Sequence, residues 1–298
     1  MKKIFAVFIS VLALSFICCI KENNTNETAG NLNSDGSLNL NNFTLTFKDD
    51  FERNTLDKKK WSYSPEIVRQ GDKGWGGWWN DNCSSLKDGN YVCTCRLAKN
   101  TDSVPEGTPI SGAIQTRETF KQQFGLFHIR FKVEKADGLW YAFWLLNDEM
   151  AANAPDGSAK DGAELDIFEI VPGADKENNR ADFGMSVHWD GYEEDEETGK
   201  PKTQSASDFT HHLYDDFYKD YHEVWYLWDK TGYKFFMDGT DKSHMIFDFP
   251  AEKYGKEVCE VPSYMIISAE YGVWGGAIDP SQLPAHFYVD YVEVYKEK

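Results

Sequence analysis

Long helical periodicity is missing from this 298-residue sequence, which sets aside helical bundles and coiled coils. No internal repeat recurs along it, and no second linker follows the one near its start. A single domain is therefore the economical reading. Basic residues are few: 31 Lys and Arg stand against 49 Asp and Glu, a formal net charge of −18. That balance argues against nucleic acid or an anionic membrane surface as a partner. It leaves neutral ligands, polysaccharides among them. Cysteine is scarce, with six residues. No paired CxxC motif and no histidine cluster is present, so nothing points to zinc.

What is present begins with MKKIFAVFISVLALSFICCI: two lysines, a short apolar run and two adjacent cysteines. This reads as a secretory signal, too short and too one-sided for a transmembrane helix. A cysteine at its end reads as a bacterial lipoprotein signal. Cys19, or its neighbour Cys18, is the expected site of lipidation, with residues 1–19 as the signal. Residues 20–41 are rich in Asn, Ser, Thr and Gly and are expected to form a flexible tether. The domain proper would span 42–298. The expected setting is the bacterial cell envelope, with a monomer lipid-anchored at the outer membrane or cell surface. Export permits disulfides among Cys83, Cys93, Cys95 and Cys259. Cys93 and Cys95 are same-face neighbours, poorly placed to bond each other.

From Phe43 onward, short alternating or apolar runs are separated by turn signals. They include FTLTF, NYVCTCRLA, GLFHIRFKV, LWYAFWLL, ELDIFEIV, HEVWYLWD and HFYVDYVEVY. Many short strands at this spacing predict an all-β sandwich of two antiparallel sheets, or a jelly roll. In GLFHIRFKV, parity puts Phe127, Ile129, Phe131 and Val133 on one face and His128, Arg130 and Lys132 on the other. In GLWYAFWLL both faces are aromatic, with Trp140, Ala142 and Trp144 opposite Tyr141 and Phe143. That strand is expected to be covered on both sides. The run EEDEE at 193–197 reads as a solvated hairpin tip.

AELDIFEI, residues 163–170, holds three acids. Glu164 and Asp166 share a strand face, and Glu169 has the opposite parity. Burying unpaired carboxylates in an otherwise apolar strand is costly. A groove lined by Trp140 and Trp144 would accommodate them, and flat rings there would stack on sugars. A β-bulge between Asp166 and Glu169 would return Glu169 to the same face. Two carboxylates on one groove are the equipment of glycoside hydrolysis; the retaining mechanism needs them roughly 5–5.5 Å apart.

With ELDIFE as an E-x-D-x-x-E signature, the sequence resembles glycoside hydrolase family 16 in its bulged, laminarinase-like form. DDFERNTLDKKKW, DGNYV, SGAIQTRETFKQQFGLFHIRFKV, GLWYAFWLL, VHW, YHEVWYLW, FFMDG and VDYVEVY follow in family order over nearly all of 43–298. The resemblance implies a concanavalin A-like jelly roll with a concave substrate cleft. It implies Glu164 as nucleophile, Asp166 as its supporting acid and Glu169 as general acid/base, with Trp140 and Trp144 in the cleft. His188, Arg130 and Trp274 complete the expected substrate-binding set. No cofactor is required, though family members often hold a structural calcium ion at the position of Asp290. The sequence departs from the family at His128, Tyr141 and Leu227. The expected activity is endo-cleavage of β-1,3- or mixed β-1,3/1,4-glucan with retention. The alternatives are an endo-β-galactanase of the agarase, porphyranase or keratan type, and a non-catalytic carbohydrate-binding protein.

Overall fold

The computed structural model describes residues 30–65, 76–175, 180–193, 198, 202–211, 216–253, 255–272 and 275–298. The first strands are β1 (Phe43–Asp49), β2 (Ser62–Tyr63), β3 (Trp78–Trp79), β4 (Ser84–Lys87), β5 (Asn90–Leu97) and β6 (Pro109–Ser111). Next come β7 (Ala113–Gln115), β8 (Gly125–Val133), β9 (Leu139–Leu146), β10 (Ala163–Asp175), β11 (Arg180–Trp189) and β12 (Gln204–His211). The last are β13 (His222–Asp229), β14 (Gly232–Met237), β15 (Met245–Pro250), β16 (Tyr264–Tyr271) and β17 (Ala285–Glu297).

They form the two sheets that the strand pattern predicts. A seven-stranded sheet runs β12-β11-β10-β9-β16-β7-β2, and its pairings are all antiparallel. A ten-stranded sheet runs β15-β14-β13-β8-β17-β5-β6-β3, with β1 paired to β17 and β4 to β5. Among the described residues its one parallel contact joins β3 to β6.

The main core lies between the sheets and follows the period-2 pattern. Phe127, Ile129, Phe131 and Val133 of β8 meet Tyr141, Phe143 and Leu145 of β9 and Leu165, Ile167, Phe168 and Ile170 of β10. A second apolar cluster, with Trp79, Trp140, Ala142, Trp144, Tyr264 and Ile266, lies on the other face of the seven-stranded sheet. Strand β9 is thus covered on both faces, as its sequence predicts.

The outer face of the ten-stranded sheet requires a correction. Leu126, Leu227 and Phe236 point away from the main core, yet are buried beneath Leu38 and Phe43, with Leu32 packed alongside. Residues 30–41 are therefore folded against the sheet and are not a flexible tether. Leu38 is 4% exposed, and its amide donates to the Thr240 carbonyl at 2.9 Å. The segment is polar on average, but Leu32 and Leu38 meet an apolar patch that would otherwise face water. The domain begins at or before residue 30, ahead of the expected boundary at 42.

The cysteines also resolve: Cys83, Cys93, Cys95 and Cys259 are all buried free thiols. Burial pushes the thiols of Cys83 and Cys259 up to about 12, so both are inert at neutral pH.

Candidate active site

Strand β10 carries the acids, and its register explains their spacing. Against β11, Glu164 pairs with His188 and Asp166 with Ser186; after a break, Glu169 pairs with Gly184. Against β9, Asp166 pairs with Trp144 and Glu169 with Ala142. The break is the expected β-bulge. Ile167 and Phe168 both enter the main core at consecutive positions, so the face alternation skips one residue. Glu169 therefore returns to the face that carries Glu164 and Asp166. Its cross-strand neighbours, Ala142 and Gly184, are small and leave room above the strand.

Phe168 anchors the bulge from below. Its ring stacks on Phe131 at 4.6 Å and meets Phe183 at 5.6 Å, Phe143 at 6.2 Å and Phe287 at 6.3 Å. This packing fixes the backbone at the step between the acids.

Asp166 is 5% exposed, and a buried carboxylate needs a partner. His188 Nε2 supplies it at 3.1 Å and lies 4.0 Å from Glu164. Burial works against charging His188. The Asp166 hydrogen bond, with the Asp166 and Glu164 charges, outweighs it and raises the imidazole pKa to about 9. A cation thus sits between two carboxylates at neutral pH. Ligating atoms of Glu164, Asp166 and His188 lie within 4.8 Å of one another. A metal would have to displace the His188 proton, because only neutral imidazole ligates.

One neighbour of the acids and a polar pair on the same sheet face were not anticipated from sequence. The Tyr192 hydroxyl donates to Glu164 Oε2 at 2.5 Å. Trp144 Nε1 donates to Ser268 Oγ at 3.1 Å, and Ser268 donates to Glu270 Oε1 at 3.4 Å. Glu270 is 3% exposed and lies in register with Trp140. A signal for this pair was present in YMIISAEY. Tyr264, Ile266, Ser268 and Glu270 share one parity, so two polar residues fall on the groove face of a buried strand.

One expected substrate contact falls elsewhere. Arg130 lies on the outer face of the ten-stranded sheet, across the core from the acids. It is ion-paired to Asp290 and packed over the Tyr221 ring at 4.5 Å. Its parity names the correct face, but parity does not name the sheet. Asp290 is engaged by that guanidinium, so a calcium ion there would confront a fixed positive charge, and the residue does not fit the ion. Trp274 lies outside the described residues, as does the centre of EEDEE, 194–197.

Paired carboxylates across a bulge, on the aromatic face of an all-β sandwich, define a polysaccharide-cleaving enzyme class, the glycoside hydrolases. The chain belongs to glycosyl hydrolases family 16, whose family model matches residues 77–293. It is similar to the beta-glucanase of Rhodothermus marinus, 27% identical over 287 residues, covering 89% of each chain. It is also similar to glucan endo-1,3-beta-glucosidase A1 of Niallia circulans, 25% identical over 277 residues. That alignment covers 85% of this chain but only 38% of the relative. Among solved structures, the endo-beta-1,3-glucanase of Pyrococcus furiosus superposes with a TM-score of 0.66 at 24% identity, covering 89% of this chain and 97% of that one. The laminarinase catalytic domain of Thermotoga maritima gives 0.66 at 20% identity, covering 86% and 99%. At these identities the structures establish the shared jelly-roll sandwich.

Proposed function

We propose that the protein is a retaining endo-β-glycanase that hydrolyses internal β-1,3- or mixed β-1,3/1,4-glucan linkages. The observation that carries this reading is the bulge that puts Glu164, Asp166 and Glu169 on one face. Glu164 attacks the anomeric carbon while Glu169 protonates the departing glycosidic oxygen. Glu169 then takes a proton from water, which releases the sugar from Glu164. Asp166, held by His188, supports the nucleophile from the same strand. The indoles of Trp140 and Trp144 are buried on the groove face, where they back the strand that flanks the acids. The relatives named as glucanases favour glucan as the substrate.

A sulfated galactan would call for free cations beside the groove. Arg117 approaches it, near Tyr264, but is paired to Asp148 at 2.5 Å. Arg130 and Lys132 lie on the far sheet. We also propose lipid anchoring through Cys19 or Cys18, which would hold the enzyme at the cell envelope; mass spectrometry of the membrane-extracted protein tests it.

The test of function is a panel of laminarin, barley β-glucan, agarose and porphyran, assayed with wild type and Glu164→Gln. Wild type should cleave a β-glucan, and the variant should lose at least about a thousandfold in rate. A variant within about tenfold of wild type would remove Glu164 as nucleophile.

A further inference from the structure

We propose that Tyr192 is a positioning residue for the nucleophile, holding one oxygen of Glu164 in place through both halves of the reaction. This role rests on Glu164 being the nucleophile, as proposed above. The Tyr192 hydroxyl donates to Glu164 Oε2, a hydrogen bond from a neutral donor to a carboxylate.

The loop that delivers Tyr192 is built for the purpose. Strand β11 ends in Trp189, and Asp190 and Gly191 follow with φ of 68° and 77°. Two successive positive φ values bend the chain away from the strand direction, a conformation that Asp and Gly tolerate. The Asp190 carboxylate accepts from the amides of Asp156 and Gly157, both at 3.0 Å, and from Gln204 Nε2. The Gly191 carbonyl accepts from the Thr203 hydroxyl. Just beyond Tyr192, the Glu193 carbonyl accepts from the Lys202 amide at 2.8 Å. The backbone is thus fixed on both sides of Tyr192, while the residue itself remains 50% exposed. Burial in the core is not what places this side chain. Its polar end is directed at Glu164.

The described charged and titratable groups around Glu164 come from several elements. Asp166 and Glu169 share its strand, His188 faces it from β11, and Tyr264 from β16. Asp166 opposes ionisation of Glu164 and protonated His188 favours it. Tyr192 adds a donor that stays a donor. Loss of solvent around its hydroxyl, with the adjacent Glu164 charge, lifts its pKa far above the ordinary tyrosine value. A hydrogen bond to the ionised carboxylate favours that form. During attack the bond restrains rotation of the carboxylate. When the glycosyl–enzyme bond breaks, Glu164 recovers its charge and the same hydroxyl meets it. No proton leaves Tyr192 in either step.

The test is Tyr192→Phe, which keeps the ring and removes the donor, assayed across pH on the β-glucan that the wild type cleaves. Expected is a fall in kcat/KM of about 10–100-fold, carried mainly by kcat, with the acid limb of the pH profile displaced upward. The melting temperature should stay near that of wild type. A variant within about threefold of wild type with an unmoved acid limb would overturn the proposal. So would a rise in KM alone, which would make Tyr192 an ordinary substrate contact. A 2-deoxy-2-fluoro glycoside separates this from the nucleophile assignment: labelling of Glu164 in both proteins, slower in the variant, supports both. Labelling of another residue, or a wild type inert on every glycan of the panel, would overturn the functional reading and this inference with it.

Discussion

At the scale of single residues, the site is an arrangement of charge compensation. Asp166 is nearly buried, and His188 meets it at 3.1 Å. The sign of the resulting pH dependence follows from the direction of the His188 shift. Its folded pKa, about 9, lies above the ordinary histidine value of 6.5. The pair therefore contributes its full stability below about pH 6.5 and loses it as pH rises through about 9. The shift corresponds to on the order of 3 kcal/mol. We expect the melting temperature of wild type to fall between about pH 7 and 10 and that of His188→Gln to fall less. Parallel curves for the two proteins would contradict this account of the pair. The acids were legible because their parity clashed with an apolar strand. Tyr192 was not, because it reaches Glu164 only after a turn, and contact across a turn leaves no periodic mark. Arg130 misled for a related reason. Alternation separates in from out within a strand, whereas the choice of sheet depends on pairing partners far away in sequence.

At the scale of elements, the bulge in β10 decides which side chains meet the substrate. Ile167 and Phe168 are two consecutive inward residues, and the aromatic contacts of Phe168 hold that irregularity in place. Phe168→Ala should cost about 3–5 kcal/mol, from lost burial and the cavity left behind. Deleting Phe168 is more discriminating. The spacing becomes E-x-D-x-E, strict alternation returns, and all three acids stay on the groove face. We expect a destabilised protein with residual glucan cleavage, read by denaturant unfolding and reducing-sugar release. A fully stable deletion variant whose third glutamate faces the core would refute the role given to the bulge. The spacing alone announced this feature, since without a bulge Glu169 would have pointed into the apolar core at the cost of an unpaired buried charge. What holds the bulge was not readable, because Phe131, Phe183 and Phe287 come from three separate strands.

At the scale of the whole molecule, the two faces of the sandwich have different tasks. The seven-stranded sheet presents the acids, and the outer face of the ten-stranded sheet is sealed by the segment that precedes β1. That seal reads as a tether in the sequence because low mean hydropathy conceals two well-placed leucines. Their partners, Leu126, Leu227 and Phe236, become visible only once the strands are paired. Removing residues 30–42 should expose this patch, lowering stability by roughly 2–4 kcal/mol and promoting self-association. Calorimetry and light scattering check both effects, and an unchanged melting temperature would show that the segment is dispensable. The sandwich was readable from the alternation and the absence of helical periods. In the mechanism proposed for this fold, a bulged strand sets Glu164 and Glu169 to work from one face by double displacement. Proton NMR of the earliest hydrolysis product tests it most directly. A β-anomer should appear first and then mutarotate, because two inversions cancel; an α-anomer appearing first would contradict double displacement and the roles given to both glutamates.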